Sequence, residues 1–65
     1  MKLTWQDIEE IALELRLRHP EKDPLVASLP EIRLLVSELP SFGDDPRAAD
    51  DSTLEAIQAA WYDES

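Results

Sequence analysis

No cysteine occurs among the 65 residues, so no disulfide can staple the chain. Thiolate ligation of zinc or of an iron–sulfur cluster is excluded for the same reason. Histidine occurs once, at His19, which rules out a multi-histidine metal site or a paired-imidazole catalytic centre. Glycine also occurs once, so no glycine-rich loop is present to cradle a phosphate. Six bases face fifteen acids, a net charge of −9. Such a surface repels phosphates, which argues against nucleic acids and anionic membranes as partners. No apolar run approaches the length of a membrane span. The start, "MKLTWQDIEE", meets its acids too early for a secretory leader, and the simplest location is the cytoplasm.

What remains is one small domain spanning 1–65, with a hydrophobic content of 43%. A chain of this size buries only about 60% of the surface that its unfolded form exposes. Stability therefore rests on packed apolar groups, the largest being Trp5, Phe42 and Trp61. The acids are uneven. Residues 1–39 hold eight acids and five bases, a net −3; residues 40–65 hold seven acids and one base, a net −6.

Periodicity predicts three helices. Thr4 is a candidate N-cap with Asp7 three residues on, close to a capping box, and Trp5, Ile8, Ile11, Ala12 and Leu15 recur at spacings of three and four. Pro20 stops this run near Arg18. Leu13 and Leu17 fall off the stripe, beside Gln6 and Glu10, and read as scatter, as the edge of the core or as part of a partner surface. After the turn "HPEKDP", residues 25–29 read as briefly extended. Ser28 and Glu31 then start a second helix whose core face is Ile32, Leu35, Val36 and Leu39, and Pro40 ends it. The third begins between Asp50 and Ser52, with Ser52 and Glu55 matching a capping box and Asp50 or Asp51 as rival caps. Leu54, Ile57, Ala60 and Trp61 share its core face. Tyr62 falls outside that face, and "DES" at the end is expected to fray.

The stretch "PSFGDDPRAADD" gathers four aspartates around Arg47. Asp45 before Pro46 suits the cap of a single turn, and one of Asp50 and Asp51 suits the cap of the third helix. Asp44 has no such duty and is read as free for a cation or a basic partner. Asp44, Asp45, Asp50 and Asp51 together form a candidate carboxylate-only site for a hard cation, open and weak; the spacing does not match an EF-hand. An enzymatic reading finds no nucleophile–base pairing and no cleft to place it in, and the chain is read as a non-enzyme.

Trp5, Asp7, Glu10, Ile11, Pro20, Asp23 with Pro24, Phe42, "DDP" at 44–46, Ala48, "LEAI" at 54–57, Trp61 and "DE" at 63–64 stand in the order and spacing of the IscX proteins. The chain resembles that family from residue 3 to its end. These are small acidic accessory proteins of the bacterial ISC iron–sulfur cluster assembly system. The resemblance implies a mainly α, compact three-helix domain described as a modified winged helix, which is expected to be a monomer. It implies binding to the cysteine desulfurase at a positively charged surface near its active site, overlapping with bacterial frataxin and modulating sulfur delivery. It also implies weak binding of ferrous iron through acidic residues, with no tightly bound cofactor. The acids it carries over are Asp7, Glu10, Asp23, Asp44, Asp45, Glu55, Asp63 and Glu64. Leu13, Leu17, Pro40, Ser41 and Gly43 stand where relatives can carry further acids, and fewer carboxylates weaken an open metal site directly. The alternatives to a desulfurase-binding regulator are an iron donor for cluster assembly and a generic acidic interaction module.

Overall fold

The computed structural model describes residues 2–64. Its helices are α1 (Ile8–Arg18), α2 (Leu29–Ser37) and α3 (Asp51–Glu64). This is the mainly α, three-helix arrangement expected from the periodicity. Among the described residues the only β pairing is an isolated parallel bridge between Leu3 and Phe42. No wing strand accompanies the helices among the described residues.

The start of α1 differs from expectation. Thr4 and Asp7 do interact: the Asp7 carboxylate accepts from the Thr4 backbone N–H at 2.9 Å and from its hydroxyl at 3.4 Å. The pair closes a separate turn in front of the helix, and Asp7 itself occupies the N-cap position without a side-chain cap bond. Trp5 is thus buried ahead of α1 instead of on its stripe. Its indole N–H donates to the Asp45 carbonyl at 2.6 Å, and its ring meets Phe42 edge-on at 4.8 Å. Glu9 and Glu10 in the first turn of α1, and Arg16 and Arg18 in its last, complement the helix dipole.

Residues 25–29 are not extended. The Asp23 carboxylate accepts from Leu25 N–H, and the Asp23 carbonyl from Val26 N–H, which curls this stretch into a turn. Gln58 of α3 ties the turn down by donating to the carbonyls of Pro24 and Ala27. Ser28 caps α2 as its spacing predicts, its hydroxyl accepting from Glu31 N–H at 3.3 Å. In α3 the cap is Asp50, whose carboxylate accepts from Thr53 N–H at 2.9 Å; Ser52 lies inside the helix. Asp63 and Glu64 continue α3 where fraying was expected, while Ser65 lies outside the described residues.

The core joins Ile11, Ala12 and Leu15 of α1, Ile32, Leu35 and Val36 of α2, and Leu54, Ile57 and Trp61 of α3, with Trp5, Leu39 and Ala49 closing its edges. Each large apolar side chain buried here contributes roughly 1.5–3 kcal/mol. Ala60 is only partly buried against this core. The segment joining α2 to α3 is held from both sides. Leu3 N–H donates to Ser41, Gly43 N–H donates to Leu3 at 2.9 Å, and Arg33 of α2 donates to the Pro46 carbonyl at 2.7 Å. Gly43 is required for space: a Cβ there would sit about 2.6 Å from the Lys2 Cβ.

Candidate protein-interaction face

The candidate acids divide into two groups. In the 44–51 segment the carboxylates of Asp44, Asp45 and Asp50 accept hydrogen bonds from the chain itself. Asp44 is half-buried; one oxygen accepts from Asp45 N–H at 2.7 Å and the other from Trp5 N–H at 3.3 Å. The expectation that Asp44 has no structural duty is therefore corrected: it joins the N-terminal segment to the loop, across 39 positions of sequence. Asp45 caps the single turn as expected, accepting from Arg47 N–H at 2.9 Å through its side chain and from Ala48 N–H through its carbonyl. Its carboxylate also lies 3.9 Å from the Arg47 guanidinium, in an exposed pair that contributes little. Asp50 caps α3, and the bonds it accepts from the Thr53 N–H and hydroxyl hold its carboxyl below the ordinary aspartate value of 3.8. Asp51 is exposed in the first turn of α3. Among the described residues, no three of Asp, Glu and His come together as a metal-holding group. Asp44, Asp45, Asp50 and Asp51 thus do not come together as such a group among the described residues.

The second group lies between α1 and α3. The two helices form the principal packing pair of the fold. The small side chains of Ala12 and Ala60 leave an open groove of about 450 Å³ where the first half of α1 meets the end of α3. Leu13 forms an apolar wall, and Glu9, Glu10, Asp63 and Glu64 line the rim. All four carboxylates are exposed, and none makes an ion pair or hydrogen bond with a described residue. Asp63 and Glu64 sit in the last turn of α3, which contains no base. Carboxylates at that end oppose the helix dipole. This is a local electrostatic conflict that a cationic partner would relieve.

The fold thus brings Glu10 together with Asp63 and Glu64, which lie 53 and 54 positions further along the sequence. It leaves the other candidates apart. Asp7 is committed to Thr4, Asp23 to its turn, and Glu55 is exposed on α3 outside the groove. Glu9 was not among the candidate residues. The one signal for it was its position four residues before the off-stripe Leu13, which stacks the two on one side of α1.

A family profile described as iron–sulphur cluster assembly matches residues 3–65. The chain is also 47% identical, over 64 residues, to an uncharacterized protein of Pseudomonas aeruginosa; the match covers 98% of this chain and 97% of that protein.

Proposed function

The chain belongs to the iron–sulfur cluster assembly family, the IscX family, and from that premise we propose that it is a non-enzymatic regulator that docks its acidic α1/α3 face on a basic surface of the cysteine desulfurase. The observation that carries this reading is the rim of four carboxylates, Glu9, Glu10, Asp63 and Glu64, unneutralised by any described base and facing solvent around one groove. Opposite charges across an interface steer encounter and fix orientation. The remaining exposed acids, Glu55 among them, extend the negative field, and Asp44 and Asp45 add to it while holding the fold. Weak ferrous-iron binding, which the family resemblance implies, then uses pairs of surface carboxylates and does not need a cage.

Calorimetric titration of the chain into its cognate desulfurase tests the docking. Exposed charges are screened beyond about 8 Å at physiological ionic strength, so affinity should fall steadily between about 50 and about 500 mM NaCl. Glu10→Lys and Asp63→Lys should each weaken binding and flatten this salt dependence. Absence of binding at low salt, or affinity independent of salt, would remove the proposal. Ferrous-iron titration of the chain alone, at physiological salt, separates the regulator from an iron donor.

A further inference from the structure

Accepting the acidic face as the docking surface, the groove itself points to a finer feature of the partner. Charge alone does not require Leu13 at its wall. Leu13 is 41% exposed, and Leu17, one turn later on the same side of α1, is 62% exposed. Leu17 lines a second hollow with Arg16, His19 and Pro20, which Trp61 also lines. The two leucines therefore form an apolar ridge that ends in carboxylates at Glu9 and in bases at Arg16 and His19. The groove beside Leu13 has an alanine floor, able to accept a side chain, and a rim of one charge sign.

We propose that the α1/α3 groove takes an aliphatic side chain of the partner, flanked on its own chain by Lys or Arg. The apolar group packs on Leu13 and Ala60, and the flanking cations meet Glu10, Asp63 and Glu64. Charge complementarity selects the occupant: a second copy of this chain, with its net charge of −9, would bring like charge to the rim. Apolar contact lowers the dissociation rate, whereas the acids act mainly on association.

Leu13→Gln tests this without changing charge, and Leu34→Gln is the control, since Leu34 is an exposed leucine of α2 outside the groove. Both variants are first checked for unchanged melting, then titrated with the desulfurase at several salt concentrations. Leu13→Gln is expected to weaken binding about tenfold, equivalent to about 1.4 kcal/mol. Its salt slope should match that of the parent, and Leu34→Gln should leave affinity unchanged. Parent-level affinity in Leu13→Gln overturns the apolar slot while leaving electrostatic docking intact. Equal loss in both variants also overturns it, as a nonspecific apolar effect. No binding by the parent chain overturns both readings together.

Discussion

The aspartates of the 44–51 segment and the carboxylates of the α1/α3 groove are the same chemistry in different surroundings. In the segment, Asp44, Asp45 and Asp50 each find backbone N–H groups within hydrogen-bonding reach and are used to shape the chain. In the groove, Glu9, Glu10, Asp63 and Glu64 stand on exposed helix surfaces, and their carboxylates make no hydrogen bond or ion pair with a described residue. The densest acidic stretch of the sequence is therefore mostly architecture. The free acids that line the groove come from opposite ends of the chain. Density of charge is a poor guide to an interaction site; what counts is whether the carboxylates have partners within their own fold.

The strongest perturbation breaks both regions at once. Trp61 is 1% exposed, one residue from the alanine floor of the groove. Truncating a buried tryptophan to alanine costs about 3–5 kcal/mol, a large share of the stability open to a small domain. Trp61→Ala should unfold the chain or broaden its NMR spectrum. A folded Trp61→Ala with lost binding alone would mark Trp61 as an interface residue.

Next in size is a change that separates the regions by opposite signs. Asp63→Lys combined with Glu64→Lys should weaken desulfurase binding by tenfold or more, about 1.4 kcal/mol. The same change places cations at the end of α3, where each gains about 0.3–1 kcal/mol from the dipole. Melting temperature should rise as affinity falls. A fall in both would mean that Asp63 and Glu64 support the fold.

Asp44→Ala should do the reverse. It removes the acceptor for Trp5 N–H and Asp45 N–H, at a cost of about 1 kcal/mol, similar to the loss of a helix cap at Ser28→Ala. Thermal melts compare the two directly, and a neutral Asp44→Ala would restore Asp44 as a free surface acid.

The smallest effect is one of pH. The Asp50 carboxyl titrates below its unfolded-state value, so its contribution to stability is in place above about pH 4 and is lost as pH falls through the lower folded-state value. Asn retains the capping geometry without the titration. Acid unfolding of Asp50→Asn should therefore be less steep below pH 4 than that of the parent, and an identical acid limb would show that Asp50 carries none of the pH dependence.

Much of the fold is legible in local signals. Ser28 with Glu31, and Asp50 among the rival caps, start helices where capping chemistry places them, because each bond spans only three residues. Thr4 and Asp7 carry the same signature yet close a turn, since Trp5 is drawn out of the helix by the Asp45 carbonyl, 40 positions away. A spacing of three from Trp5 to Ile8 fits both outcomes. Residues 25–29 were misread because the local bonds of Asp23 outweigh a weak apolar run. Glu10, Asp63 and Glu64 are legible through family resemblance. Their convergence on Leu13 and Ala60 depends on how α1 packs on α3, and no local pattern encodes that packing. The tie from Asp44 to Trp5 was hidden for the same reason.

Two charge-neutralised chains test the central claim most directly: Glu10→Gln with Asp63→Asn in the groove, and Asp44→Asn with Asp45→Asn in the segment. Each removes two negative charges, so their net charges are equal. Calorimetric affinity for the cognate desulfurase, measured beside each melting temperature, should show the groove pair binding weakly with unimpaired melting. The segment pair should melt earlier while keeping most of its affinity. Stronger loss of affinity in the segment pair than in the groove pair would contradict the account, and place the docking site on the loop.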